Sequence, residues 1–188
     1  MPRNIFTVVI VSILLGLVNG NAQQEKSEPQ SPDQSRLTRY EKFLRRTDTI
    51  IVTQSYPIAA IPGCGGSRMT AKAAWALGET YKIYAVDLGG RLVDFEQLKA
   101  MQDGLDKLTQ AINSSFEKLN AASMSYSSPA GLSISYYTYT TDDSPKPRRI
   151  LYMVAGGCTS QSPNIEPLLE MRSLIGQARE KLISLGAK

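Results

Sequence analysis

The sequence contains no histidine and very little cysteine. None of its 188 residues is a histidine, and only two are cysteines. A chain without imidazole has no Ser-His-Asp or Cys-His triad, no histidine-ligated metal centre and no histidine proton relay. Two cysteines are also too few for a closed four-cysteine zinc site or a cysteine-held iron–sulfur cluster. The composition therefore predicts no cofactor and no metal site, and it leaves carboxylates, lysine, tyrosine and unassisted serine for catalysis.

Charge of one sign and long apolar runs are also scarce. Lysine and arginine together number 21 and aspartate and glutamate 17, so the formal net charge is +4. This basic excess is too small to indicate nucleic-acid binding. Beyond the N-terminus, no apolar run approaches the roughly 20 residues that a membrane-spanning helix needs. We therefore expect neither a nucleic-acid partner nor a transmembrane span after the N-terminal segment.

The first 22 residues have the features of a secretory signal peptide. Arg3 supplies a positive charge, residues 5–18 are almost entirely apolar, and small residues lead up to Ala22. The apolar run is shorter than a membrane span, which argues against the alternative of an uncleaved anchor. We predict cleavage after Ala22 and export to the periplasm or the extracellular space. The chain that remains is long enough for one domain with its own core.

Export determines how the two cysteines are interpreted. Cys64 and Cys158 lie in glycine-rich segments, at residues 62–66 and 156–158. An even number of cysteines in an exported protein usually forms disulfides. We therefore predict a Cys64–Cys158 bond, with two free thiols as the alternative. The first segment also resembles an anion-binding loop, but Arg68 occupies the last glycine position of G-x-G-x-x-G, which favours a turn that shapes the disulfide.

Residues 23–35 and 36–46 precede the main strand and helix patterns. Residues 23–35 lack large apolar side chains and are rich in Pro, Gln, Ser and Glu, which is typical of a disordered leader. Residues 36–46 predict a short basic helix, with Leu37, Tyr40 and Leu44 at helical spacing. Two interpretations remain open: this helix packs on the domain, or it binds a membrane surface or an acidic partner.

Strand and helix patterns fill the rest of a single domain at residues 36–188. Apolar residues three and four positions apart predict long amphipathic helices over 94–119 and 164–185. Strands followed by a segregated helix predict an α+β fold with a mostly antiparallel sheet. The β-branched and aromatic runs predict strands at 49–56, 68–77, 80–88, 122–127, 131–140 and 148–155, with the second and third forming a hairpin.

Two halves of the domain, residues 49–119 and 122–186, align when they are shifted by 70 residues. The shift places the apolar stripe of the first long helix on that of the second, and Tyr81–Ala85 on Leu151–Ala155. Identities are few, and any two amphipathic helices align once their stripes are in register. We nevertheless predict a duplicated βββα unit from the order of the elements.

Tyrosine is concentrated in the second half of the chain. In residues 131–140, strand alternation places leucine and isoleucine on one face and Tyr137 and Tyr139 on the other. We predict that the aliphatic face points inward and that Tyr137 and Tyr139 point outward, beside Arg148 and Arg149. Such a surface suits a protein or polysaccharide partner. The alternatives are a solvated outer strand, or tyrosines covered by the basic N-terminal helix.

Carboxylates are the main remaining candidates for catalysis. Asp87, Asp94 and Glu96 flank one strand–helix junction, and Asp142 and Asp143 lie in a predicted turn. A glycosidase-type pair must lie about 5–10 Å apart across a cleft, whereas Asp94 also fits a helix N-cap. We therefore predict an exported, non-enzymatic binding or structural domain. A small carboxylate-based hydrolase is the alternative.

Overall fold

The computed structural model describes residues 36–115, 121–141 and 144–188. The predicted signal peptide, the predicted leader at 23–35 and the predicted turn at Asp142 and Asp143 lie outside the described residues. The elements in chain order are α1 (Arg39–Leu44), β1 (Ile51–Ala60), β2 (Arg68–Ala76), β3 (Lys82–Leu88), β4 (Leu92–Asp94), α2 (Phe95–Ser115), β5 (Ala122–Ser127), β6 (Ser133–Thr141), β7 (Ser144–Ala155), β8 (Cys158–Ser162) and α3 (Glu166–Ser184).

The eight strands form two four-stranded sheets. Sheet 1 has the order β1-β2-β3-β4, and sheet 2 has the order β5-β6-β7-β8. Within each sheet, every strand pairs antiparallel with the next along the chain, including the β2–β3 hairpin. The predicted α+β class with antiparallel strands and two long helices is therefore confirmed.

The sequence prediction missed two short strands. β4 has three residues and β8 has five, which is too short for alternation to be recognised with confidence from sequence. Each sheet is therefore a meander of four strands, not the three that we predicted. We also expected the first strand to end at Pro57, but β1 continues to Ala60 through a register shift between Pro57 and Ala59. Proline is tolerated there because β1 is an edge strand.

The two long helices bury the apolar stripes that their spacing predicts. α2 begins at Phe95, directly after the predicted N-cap position Asp94, and α3 begins two residues later than predicted. The predicted continuation of α2 beyond Ser115 lies outside the described residues. None of the described helices has the length and apolar character needed to cross a membrane. The buried side chains include Leu98, Met101, Leu105, Leu108 and Ile112 on α2, and Leu168, Met171, Ile175, Ala178 and Leu182 on α3.

One core joins the inner faces of both sheets to the two long helices. α2 and α3 pack against each other, and α3 also packs on β1, β2 and β3 of sheet 1. α2 contacts β5 of sheet 2 as well as the strands that precede it. Met69 and Leu88 of sheet 1 and Ile134 and Met153 of sheet 2 are all fully buried in this cluster. Each sheet therefore has one buried face, and its other face is available for a different role.

The short helix α1 packs on the outer face of sheet 1. Thr38 and Glu41 form a capping box, in which Thr38 Oγ1 accepts a hydrogen bond from Glu41 N at 3.1 Å. Tyr40 and Phe43 are buried against small and aliphatic residues of β2 and β3. Leu44, which we had placed on the apolar face, is instead 39% exposed. Of the two interpretations of residues 36–46, the structure shows the helix packed on the domain.

The predicted Cys64–Cys158 disulfide is present, with a Cα–Cα distance of 5.8 Å. It joins the turn between β1 and β2 to the first residue of β8 and so links sheet 1 to sheet 2. In that turn the Cys64 amide donates to Ile61 O at 3.0 Å, and the Ser67 amide donates to Cys64 O at 3.1 Å. The glycine-rich segment is therefore a hydrogen-bonded turn that carries one cysteine of the disulfide.

The turns β3–β4 and β7–β8 lie against each other. A Cβ atom placed on Gly156 would come within 2.3 Å of Leu88 O and 2.4 Å of Gly89 O. Gly156 also has a φ of 61°, in the left-handed region that favours glycine. The approach of the two backbones therefore requires glycine at this position.

Strand pairing matches the two sheets residue by residue. The pair Tyr56–Ala71 corresponds to Tyr126–Ile134, and Ala74–Ile83 corresponds to Tyr137–Ile150. The turns β3–β4 and β7–β8 align Leu88 with Ala155, an offset of 67 residues, and the strand pairs then give offsets of 70 for β1 and β5 and 63 for β2 and β6. The uniform shift of 70 that places Tyr81–Ala85 on Leu151–Ala155 differs from this register by three residues, because the connecting segments differ in length.

Candidate functional site

The structure brings together three of the four residues predicted to form a binding surface. Tyr139 on β6 pairs directly with Arg148 on β7, and Tyr137 lies two residues from Tyr139. Residues opposite each other in an antiparallel pair share a face, so Tyr137, Tyr139 and Arg148 all lie on the outer face of sheet 2. The predicted alternation in β6 is confirmed, since Ile134 is fully buried and Tyr137 is 40% exposed.

Arg149 is separated from the other three by strand alternation. It pairs with Thr138, which is buried on the inner face of sheet 2. On that side Arg149 lines a cleft of about 300 Å³ with Tyr136 and Asn164. Near the end of β7, however, Arg148 and Arg149 both border a shallow depression of about 740 Å³ that also includes Tyr139. Arg149 therefore lies at the rim of the outer face rather than on it.

Two further residues of β7 belong to the same face and were not singled out from the sequence. Ile150 pairs with Tyr137, and Tyr152 follows it on the outer side of the strand. The rings of Tyr137 and Tyr152 are 5.6 Å apart between centroids and meet at 84°, edge to face. The alternation of Arg148, Ile150 and Tyr152 along β7 is the sequence signal that could have identified them.

These side chains form an aromatic face, which we define as Tyr137, Tyr139, Ile150 and Tyr152. They line a shallow depression of about 530 Å³. Tyr137 and Tyr152 are 40% and 38% exposed, which is a large exposure for side chains of this size. Large aromatic area left in contact with water is the feature that most often marks a contact surface.

The corresponding positions on sheet 1 carry smaller side chains and are covered. Tyr40 and Phe43 of α1 lie over them, so they are buried. No described element outside the sheet lies on the aromatic face in the same way, and the expected alternative in which α1 covers the tyrosines is wrong. By strand register, the aromatic face corresponds to Ala74, Ala76, Ile83 and Ala85 of sheet 1.

The carboxylates singled out from the sequence are engaged in structural contacts. Asp87 forms an ion pair with Lys72 at 2.8 Å. Asp94 accepts hydrogen bonds from the backbone amides of Arg39 at 2.8 Å and Tyr40 at 3.1 Å, so it caps the first turn of α1. Glu96 forms an ion pair with Arg39. These three carboxylates therefore hold α1 and the outer face of sheet 1 in place.

A cleft of about 520 Å³ is lined by two carboxylates from different parts of the fold, Glu41 and Asp94. Glu41 accepts a hydrogen bond from the Thr38 amide at 2.8 Å, and Asp94 accepts the two amides of α1. Both carboxylates of this cleft are therefore engaged in hydrogen bonds that hold α1 in place. Elsewhere on the domain, the Arg46 guanidinium lowers the pKa of Glu79 by hydrogen bonding.

Two further properties bear on function: the capacity to bind a metal ion and the similarity to known proteins. Within residues 36–115, 121–141 and 144–188, no cluster of three or more Cys, Asp or Glu side chains could hold a metal ion. The aromatic face, with Arg148 and Arg149 at its edge, is accordingly the candidate functional site. Comparisons with protein-family models, with curated proteins and with solved structures find no match to this chain.

Proposed function

We propose that this protein is an exported, non-enzymatic binding domain and that the aromatic face contacts a protein partner. The observation that carries the proposal is the half-exposed cluster of Tyr137, Tyr139 and Tyr152 on a sheet face that no other described element covers. Tyrosine and arginine are enriched in the centres of protein interfaces, where they dominate the binding energy. Arg148, directly opposite Tyr139, adds the second of these residue types.

The geometry of the rings favours a protein over a polysaccharide. Sugar rings stack on flat aromatic platforms, whereas Tyr137 and Tyr152 meet at 84° and present no common plane. The depression between them also includes the aliphatic Ile150. An uneven surface of aromatic edges and aliphatic carbon is complementary to packed side chains, as in the centre of a protein interface.

Export and duplication are part of the proposal. An exported protein meets an oxidising compartment, and the Cys64–Cys158 disulfide is stable in such a compartment. The signal-like segment that ends at Ala22 supplies the route, with cleavage after that residue. The shared strand order and register of the two sheets support descent from a duplicated unit of four strands and a helix.

Site-specific photo-crosslinking in the native host tests the proposed function. Benzoylphenylalanine replaces Tyr137 or Tyr152 one at a time, and Tyr81 serves as the matched control. Tyr81 is also an exposed tyrosine, at 56%, but it lies next to sheet 1. We expect positions 137 and 152 to give an adduct with one and the same protein, and position 81 to give none.

Two outcomes would contradict the proposal. Equal adducts from all three positions would indicate nonspecific contact, and no adduct from positions 137 and 152 would remove the aromatic face as a binding surface. An adduct of the protein with itself would indicate a structural subunit that assembles through this face. Analytical ultracentrifugation of the purified protein distinguishes that result, because a self-associating subunit sediments as an oligomer.

A further inference from the structure

Building on the proposed function, we infer that the partner binds the aromatic face with an amphipathic helix whose flanks are acidic. The helix would occupy on sheet 2 the place that α1 occupies on sheet 1.

The protein already shows how a sheet of this topology accepts a helix on its outer face. α1 lies on Ala74, Ala76, Ile83 and Ala85, with Tyr40 and Phe43 filling the space above them. The aromatic face occupies the same four register positions on sheet 2. The aromatic face therefore offers a partner helix the same four register positions that α1 covers on sheet 1.

The charge at the edge of sheet 1 is opposite in sign to the charge of α1. Residues 36–46 are strongly basic, and the surrounding edge of sheet 1 is acidic. Arg46 donates hydrogen bonds to Glu79 at 2.8 and 3.0 Å, and Arg39 forms an ion pair with Glu96. Asp94 on β4 caps the first turn. A basic helix is therefore selected by carboxylates that surround its contact surface.

The edge of the aromatic face is basic, in contrast to the acidic edge of sheet 1. Gln161 stands at the position of β8 that corresponds to Asp94, so the carboxylate that caps α1 on sheet 1 has no counterpart there. Arg148 places an exposed guanidinium on the outer face beside Tyr139. In the described strands of sheet 2, the outer face carries no carboxylate. A basic helix, such as α1 of a second copy, would be repelled here, whereas a helix with glutamate or aspartate on its flanks would be attracted.

The size of the side chains also defines the partner helix. Space between a packed sheet and a helix is filled to a nearly constant density, so large residues on one side require small residues on the other. On sheet 1, alanines of the sheet accept Tyr40 and Phe43 of the helix. On sheet 2 the tyrosines belong to the sheet, and the partner helix therefore presents alanine and leucine rather than aromatic side chains.

A pair of synthetic helices tests this inference with the full mature protein. The first peptide, of about 16 residues, carries alanine and leucine on one face and glutamate on both flanks. The second is identical except that every glutamate is replaced by lysine. We expect the glutamate peptide to bind at least about tenfold more tightly at low salt, and the difference to shrink at about 0.5 M salt. Binding is followed by NMR, and the shifted resonances should include Tyr137 and Tyr152.

Charge reversal on the protein provides the matched control. Arg148→Glu should weaken binding of the glutamate peptide by about fivefold and strengthen binding of the lysine peptide. Lys107→Glu makes the same change in net charge on the exposed side of α2 and should alter neither. Tyr137→Ser with Tyr152→Ser should abolish binding without unfolding the domain, since both side chains lie on the outer face of sheet 2 and outside the core.

Failure of this inference differs from failure of the proposed function. Equal binding of both peptides, binding of neither, or resonance shifts confined to sheet 1 would overturn the acidic helix. If photo-crosslinking at positions 137 and 152 still captures one protein, the aromatic face binds a partner of another shape. If crosslinking also fails, or the protein sediments as a dimer through this face, the proposed partner itself is wrong.

Discussion

Tyr40 has the most perturbed titration of the tyrosines described in the structure. Its side chain is 1% exposed between α1 and the outer face of sheet 1, and burial raises its pKa from 10.0 to about 12. The unfolded chain therefore loses this proton at a lower pH than the folded protein. Stability from the neutral phenol is fully present below about pH 10 and is lost as the pH rises toward 12.

The first prediction concerns this titration. Between about pH 8 and about pH 11, Tyr40 should lower the free energy of unfolding by about 1.4 kcal/mol, because a shift of one pH unit past the unfolded pKa is worth that amount. Over the same pH range, the free energy of unfolding of Tyr40→Phe should fall by about 1.4 kcal/mol less than that of the wild type. Urea unfolding at both pH values measures the difference. Burial also raises the pKa of Tyr84 and of Tyr126, so both proteins should still lose stability.

The exposed Tyr81 provides the control for this measurement. Tyr81→Phe should leave the pH dependence as in the wild type, because Tyr81 is 56% exposed. An equal pH dependence in the wild type and in Tyr40→Phe would show that the Tyr40 phenol titrates normally in the folded state. In that case the packing of α1 on sheet 1 would be looser than the structure shows.

Asp94 shows what the sequence can and cannot indicate about one residue. Its position before a helical stripe correctly predicts an element boundary, since α2 begins at Phe95. Its carboxylate, however, binds the amides of Arg39 and Tyr40, which lie more than 50 residues away in sequence. A residue that caps the helix directly after it and a residue that caps a helix distant in sequence are of the same type, so residue identity alone does not distinguish the two roles.

At the scale of elements, the two long helices each contain a glycine in their interior. Gly104 in α2 lies against the ring of Tyr126, and a Cβ atom placed on it would be 2.2 Å from Tyr126 Cε2. A Cβ atom placed on Gly176 in α3 would lie 2.8 Å from Nε2 of Gln102. Moving an aromatic ring that packs on the core costs free energy, whereas the end of a glutamine side chain moves at little cost.

The second prediction compares alanine at these two positions. Gly104→Ala should destabilise the protein by about 1–2 kcal/mol, because the clash with Tyr126 outweighs the gain in helix propensity. Gly176→Ala should instead stabilise it by about 0.5–1 kcal/mol, since only the Gln102 amide has to move. Both values are read from urea unfolding midpoints. Similar effects of the two substitutions would mean that Tyr126 does not pack on α2 as described.

Elements were predicted where their pattern is long enough to show a period. The hairpin at 68–88 and the stripes of α2 and α3 were confirmed because burial repeats along them. β4 and β8 form only beside the strands that precede them, so their pairing is supplied by tertiary context. In α1, Phe43 is buried and Leu44 is exposed, because the sheet beneath selects which face of a short helix packs.

At the scale of the whole molecule, one covalent bond joins the two sheets. Cys64 and Cys158 are separated by 94 positions, and they connect the β1–β2 turn to β8. Closing so long a loop removes much conformational freedom from the unfolded chain. The helices reinforce the connection, because α3, which follows sheet 2, packs on sheet 1.

The third prediction is the contribution of this bond. Replacing both residues with serine should lower the free energy of unfolding by about 4–5 kcal/mol, the entropy of a loop of this size. Reductant should destabilise the wild type to a similar extent and leave the double variant unchanged. Two thiols that react with alkylating agent in the folded, unreduced protein would contradict the bond.

The sequence alone determined what depends on residue type and local spacing. It excluded imidazole chemistry by composition, paired the only two cysteines, and placed Tyr137 and Tyr139 on the outer side of β6 by alternation. Tertiary structure decided which faces are covered, and it placed α1 over the alanines of sheet 1 instead of over the tyrosines. That choice depends on the volume and charge of side chains that are distant along the chain, which local periodicity does not encode.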